Sequence, residues 1–238
     1  CTGKFRIAET LYKLDYHEET PFLRGIRHVQ LEPVWGGKED KGINLRGACA
    51  MGLVRMNYPQ VLVELADLLA DPEALARVAA ARAIAYNEAP EGIPLLRLKV
   101  RLGDKDLQVM AECFAALLKL DPEQSLPVVT GFLDSPQESI GEVAALALGE
   151  SRLPPVFGLL TCWWKQTSHP ELRRAALTGI ALLRQDEAIG FLLELVRDGN
   201  TADARDAITA LKLYQEDNHL WQQVLQSIEL REDAHLLE

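Results

Sequence analysis

A small-residue pattern that returns every 31 to 33 residues constrains this chain more than any other feature. In the stretch Leu172-Arg173-Arg174-Ala175-Ala176-Leu177-Thr178-Gly179-Ile180-Ala181, small or apolar residues stand three, four, six and seven places after Arg173. The same offsets recur from Arg46, Arg77, Met110, Gly141 and Ala204, with successive anchor spacings of 31, 33, 31, 32 and 31 residues. From Arg46 they fall on Cys49, Ala50, Gly52 and Leu53; from Gly141 they fall on Ala144, Ala145, Ala147 and Leu148. Offsets of three, four and seven share one helical face, so each copy reads as a helix. Small side chains on that face let a neighbouring helix approach closely. Self-similarity at a period of roughly 20 to 50 residues marks an array rather than a single core.

Each anchor helix is followed by a breaker and then a leucine-rich stretch. The pattern predicts second helices over 59–70, 93–102, 125–133, 154–165, 187–197 and 219–228, with Pro59, Pro127 and Pro154 near their starts. Proline costs little in a first turn, where the amide has no helical partner. The second helices close on turn signals such as Asp71-Pro72, Gly103-Asp104 and Asp134-Ser135-Pro136. One such pair cannot bury both faces, whereas stacked pairs share a continuous core held by nearest-neighbour contacts. Arg173 has counterparts only at Arg46 and Arg77 among the six anchors, and is expected to order a turn or a nearby carboxylate. A bulky residue at Ala176 is expected to overpack the helix junction by about 1–3 kcal/mol.

The N-terminal region has a different texture. Phe5, Ala8, Leu11 and Tyr12 share a helical face, which predicts a short amphipathic helix over 5–14. The stretch Phe22 to Trp35 shows no helical period and carries Pro33, so it is expected to be extended, with at most an edge strand that Gly36-Gly37 ends. Residues 1–40 are therefore expected to form an irregular N-terminal cap, with Trp35 covering the first repeat, and residues 41–238 the repeat array. The alternative is a functional segment built on Asp15, His17, Glu32 and Asp40. Neither Cys1-Thr2-Gly3 nor the terminal Leu237-Glu238, which could be a cloning remnant, bears on function.

Charge and residue chemistry exclude several roles. A formal net charge of -10 and a pI near 5.1 repel a phosphate backbone, so no nucleic-acid partner is expected. Arg97, Lys99 and Arg101 are offset at once by Asp104 and Asp106. No apolar run approaches the roughly 20 residues that span a bilayer. The four cysteines are far apart and read as free thiols, with Cys49 and Cys113 at small apolar helix positions, which suits a reducing, cytoplasmic setting. No G-x-S-x-G, phosphate loop or metal-ligand spacing occurs, so no catalytic residue, cofactor or metal is expected.

The texture of Leu172 to Ala181, and of Val143-Ala144-Ala145-Leu146-Ala147-Leu148-Gly149, resembles HEAT-like repeats of about 30 residues, over roughly residues 41–228. That resemblance implies an all-α fold, a right-handed α-α superhelix of about six helix pairs. It is unspecific for function: similar repeats serve as scaffolds, adaptor subunits, bilin-lyase components and a few enzymes. HEAT-repeat hydroxylases hold a di-iron centre with several His-Glu pairs, but only His17-Glu18 fits here, since His28, His169, His219 and His235 lack a following glutamate. HEAT-like DNA glycosylases are a remote alternative suggested by Trp163-Trp164. Their positive groove has no counterpart here, and Trp164 aligns with the core positions Leu69, Val100, Leu133 and Val196, leaving Trp163 partly exposed.

The resemblance further implies that second helices line a concave, partner-binding side. The expected contacts with a protein or peptide are Asp67, Arg97, Arg101, Thr130, Trp163, Lys165, Glu194 and Arg197. The function expected is thus a non-enzymatic interaction scaffold, or alternatively an accessory subunit of an enzyme complex, including a bilin-lyase-like component.

Overall fold

The computed structural model describes residues 1–231; His235 and the Leu237-Glu238 end lie outside the described residues. The chain divides into two compact units, Cys1–Asp121 and Pro122–Glu238.

The first unit contains α1 (Thr2–Lys13), α2 (Glu19–Ile26), a hairpin of β1 (Leu31–Val34) and β2 (Gly37–Asp40), then α3 (Ile43–Arg55), α4 (Val61–Leu69), α5 (Ala74–Asn87), α6 (Ile93–Leu102) and α7 (Leu107–Leu120). The second contains α8 (Pro122–Thr130), α9 (Glu138–Ser151), α10 (Val156–Gln166), α11 (Pro170–Leu182), α12 (Asp186–Asp198), α13 (Thr201–Leu211) and α14 (Asn218–Glu229). The all-α repeat expectation holds. Each anchor is the fourth residue of its first helix, in α3, α5, α7, α9, α11 and α13 alike. Every small or apolar residue at the four offsets is buried. The first helices of consecutive repeats pack on one another: α3 on α5 and α5 on α7 in the first unit, α9 on α11 and α11 on α13 in the second.

One second helix departs from expectation. Helix α8 starts at Pro122, which places Pro127 in its interior rather than near its start. Pro127 offers no amide to the helix, and α8 stops three residues later at Thr130.

The N-terminal region is more regular than its sequence suggests. Residues 22–26, expected to be extended, are instead helical within α2, because tertiary packing overrides the interior glycine. Phe22, Gly25 and Ile26 are buried, and α2 packs on α3. A Cβ on Gly25 would stand 2.2 Å from Cys49 Sγ, and one on Gly52 2.3 Å from the Phe22 ring, so each glycine admits its neighbour. An interior helical glycine costs about 1 kcal/mol relative to alanine, and this close fit offsets it. Likewise, Gly37 opens a strand instead of ending one: Leu31 pairs with Asp40 and Val34 with Gly37, around a turn in which Gly36 has φ 93°. Trp35, at the tip of that turn, is fully exposed and caps nothing. Helices α1 and α2 cover α3 instead.

The anchor arginines tie the turns together. Arg46 is buried and reaches Asp40 Oδ2 at 2.5 Å, Asp71 Oδ1 at 3.0 Å and the His28 carbonyl at 3.0 Å. Arg77 donates to the Asp71 and Pro72 carbonyls at 2.8 and 2.9 Å and to both Asp104 oxygens at 2.7 Å. In the second unit Arg173 donates to the Trp164 carbonyl at 2.9 Å and to Asp203 at 2.6 Å. Each arginine thus holds a turn and a carboxylate beyond it, as expected for Arg173.

Asp104 carries a pH dependence. Burial pushes its carboxyl up, but hydrogen bonds from Arg77, Lys99 and the Asp106 amide outweigh that and hold it far below its ordinary value. Its contribution to stability is therefore complete above the unfolded carboxyl pKa of about 3.9 and fades as pH falls from there toward the lower folded value. Urea denaturation of wild type and Asp104→Asn between pH 7 and pH 2.5 should show a wild-type advantage that narrows on acidification. An advantage that stays constant across that range would refute the linkage.

Candidate functional site

An apolar groove of about 480 Å³ lies in the first unit among α1, α3 and α5. Its floor is Gly47, Ala48 and Met51 of α3 with Val78 and Ala79 of α5. These helices approach so closely that a Cβ on Gly47 would stand 2.9 Å from that of Ala79. Phe5 and Tyr12 of α1 line one side, and Leu75, Arg82 and Gln108 line the rest along with the polar Glu9 and Asn44. The aromatic side is fixed by its neighbours. The Arg55 guanidinium lies 4.7 Å from the centre of the Tyr12 ring and donates to Asp15 at 3.1 Å. A hydrogen bond with Tyr12 pushes the Tyr86 phenol up. The rim charges are paired locally, Arg6 with Glu9 at 3.0 Å and Arg82 with Glu112.

A second cavity, of about 500 Å³, shares Phe5, Asn44 and Leu75 with the first, so the two form one trough. Its far side is the hairpin, which contributes Glu32, Glu39 and Asp40. Leu75 sits at the junction of the two cavities and is 53% exposed.

The second-helix residues expected to bind a partner are distributed differently. Asp67, Arg101, Lys165, Glu194 and Arg197 are exposed, while Arg97 and Thr130 are half-buried. At position plus 21 from the anchors the structure exposes Asp67, Leu98, Gly131, Cys162 and Glu194, so Arg97 and Thr130, at plus 20, lie one residue off that ridge. Thr130 Oγ1 turns back to the Leu126 carbonyl at 2.8 Å. Arg197 pairs with its neighbour Asp198 at 2.7 Å. The expectation for Trp163 needs correction: it is buried, with Nε1 donating to Asp134 at 3.2 Å. Trp164 is buried as expected, with the Arg173 guanidinium 4.3 Å from its ring centre and an edge contact to Phe191 at 5.7 Å.

The alternative N-terminal site does not assemble as one cluster. Asp15 lies 3.7 Å from His17 and accepts a hydrogen bond from Arg55 at 3.1 Å, whereas Glu32 and Asp40 line the trough, where Asp40 is committed to Arg46. Cys49 and Cys113 are buried free thiols, and burial pushes each up to about 12. Among the described residues no group of three or more His, Cys, Asp or Glu side chains is placed to hold a metal ion. No helix among them is long and apolar enough to cross a membrane.

The trough residues escaped the sequence reading because they lie on the other side of the first helices, at plus one, two and five from the anchors: Gly47, Ala48 and Met51, then Val78, Ala79 and Arg82.

A search of curated proteins finds no match. Among solved structures, the complex of CpcE and CpcF of phycocyanin lyase from Nostoc sp. PCC7120 aligns with a TM-score of 0.46 and 18% identity, over 95% of this chain and 86% of that chain. A family model described as HEAT repeats matches residues 62–149, from within α4 to within α9. Over residues 62–149, then, the helix pairs of this chain are similar to HEAT repeats.

Proposed function

We propose that this chain is a non-catalytic, cytoplasmic scaffold that binds a segment of a protein partner in the trough formed by α1, α3, α5 and the hairpin. The observation that carries this reading is the apolar groove of about 480 Å³ built on packed helices. Its volume falls within the range of roughly 300–1,000 Å³ typical of pre-formed binding concavities. Its apolar floor and polar rim match the way helical and extended segments are usually received. A non-catalytic role is supported by the chemistry of the polar groups: the two buried thiols stay protonated, and Asp40, Asp71 and Asp104 are each engaged by an arginine. The exposed Asp67, Arg101, Lys165, Glu194 and Arg197 offer polar contacts outside the trough. The partner in this reading can be a subunit of an enzyme complex. A bilin-lyase-type version of that role requires a visible absorbance change on adding bilin, and an unchanged spectrum removes it.

The test is a random dodecapeptide display library panned on the immobilised chain, with the enriched peptide synthesised and measured by fluorescence anisotropy. Leu75→Ser removes half-exposed apolar surface at the trough junction and is expected to weaken binding about tenfold, the loss of one buried leucine contact, with the melting curve unchanged. The reading fails if no peptide is enriched, or if Leu75→Ser binds as tightly as wild type.

A further inference from the structure

The hairpin makes the trough chemically asymmetric. In the β1–β2 register Glu32 stands directly opposite Glu39. Like charges in that position destabilise a strand pair, since opposite Cβ atoms are only about 4.5–5.5 Å apart. Both residues line the cavity that continues the apolar groove. Gln30 Nε2 donates to Glu32 at 2.6 Å, which holds that carboxylate in place. The positive charges that answer them in the lining are Lys41, which lies 2.6 Å from Glu39 and is 39% exposed, and the Cys1 ammonium, 3.7 Å from Glu32, while Arg6 is engaged with Glu9. A guest cation that takes the place of the exposed Lys41 lies beside Glu39 and within reach of Glu32, whose contact with the Cys1 ammonium is longer than a hydrogen bond.

From this geometry we infer that the segment taken by the trough is amphipathic and cationic: apolar side chains seated over Met51 and Ala79, with a lysine or arginine reaching Glu32 and Glu39. This rests on the proposed partner-binding reading and gives the partner its chemistry. Charge complementarity acts at two ranges. The carboxylate pair is the local term. The net charge of -10 on the whole chain adds a long-range field that speeds the approach of a cationic segment and weakens with salt. An acidic segment of the same apolar pattern meets repulsion at both.

The same panned peptides test the inference separately from the reading beneath it. The enriched sequences should carry lysine or arginine beside their apolar residues. The synthesised peptide should lose about tenfold in affinity for the double variant Glu32→Gln/Glu39→Gln, at low salt. Wild type should fall toward the variant's affinity as salt rises to about 0.5 M, where screening extends only a few ångströms. Both substitutions are isosteric at positions that are not buried, and an unchanged melting curve confirms that the fold survives. If Leu75→Ser weakens binding while the double variant does not, or if the enriched peptides are neutral or acidic, the groove stands and the cationic assignment is overturned. If no peptide is enriched, both fall.

Discussion

Replacing Arg46 with alanine should cost the first unit about 3–5 kcal/mol, the penalty typical of removing one partner from a buried ion pair. Arg46 is 2% exposed and stands between Asp40 and Asp71, with its guanidinium also satisfying the His28 carbonyl. Burial pushes the Asp40 carboxyl up, but the Gln30 amide, Arg46 and the Gly42 amide together hold it below its ordinary value. With Arg46 gone, that carboxylate remains shielded from water and keeps only its amide donors. The hairpin would then lose the contact that fastens its last residue to α3. Urea unfolding followed by far-ultraviolet circular dichroism measures the loss. A companion variant separates the ion pair from simple packing: with Asp40→Asn and Asp71→Asn added, no unpaired charge is left, and the penalty should shrink. A loss below about 1 kcal/mol for Arg46→Ala, or an equal loss with the asparagines present, would overturn the account.

Arg46 also shows where the sequence was readable. Its register, its likeness to Arg77 and Arg173, and the helix it anchors could all be read from spacing, because small residues at fixed offsets have few other uses. The six helix pairs followed from the same arithmetic. What the spacing could not reveal was which partner each arginine takes, since Asp71 and Asp104 lie in turns that read only as breakers. Helix α2 was missed for a related reason. Gly25 and Pro21 weaken its local signal, and only the Cys49 and Gly52 surface of α3 makes the helix worthwhile. The trough was hidden more deeply, because it needs α1, α3, α5 and the hairpin together, and no single segment carries its pattern. Trp35 misled for the opposite reason: an aromatic residue beside a repeat reads as packing, yet it stands exposed at a hairpin tip.

The second large effect belongs to the glycines between α9 and α11, where Gly149→Ala should destabilise the second unit by about 1–3 kcal/mol and Gly149→Val by more. A Cβ on Gly149 would stand 2.2 Å from the Gly179 carbonyl oxygen and 2.7 Å from its Cα. One on Gly179 would stand 2.6 Å from the Ala145 carbonyl oxygen. The obstruction in each case is helix backbone, which cannot swing aside as a flexible side chain can, so the helices must separate and give up packing along their length. The expected sign is opposite to the ordinary one, since glycine to alanine in a helix interior normally gains about 1 kcal/mol. Two glycines in the same unit supply the control. Gly158 in α10 and Gly190 in α12 meet nothing within 4 Å at an added Cβ, so Gly158→Ala and Gly190→Ala should stabilise by about 0.5–1 kcal/mol. The four substitutions are chemically identical and differ only in what faces them. Thermal melts that raise the midpoint for Gly158 and Gly190 and lower it for Gly149 and Gly179 would show that backbone contact sets the spacing of these repeats. A uniform rise in all four would mean that the helices can part without cost, and the role assigned to the small residues at the repeat junction would not survive.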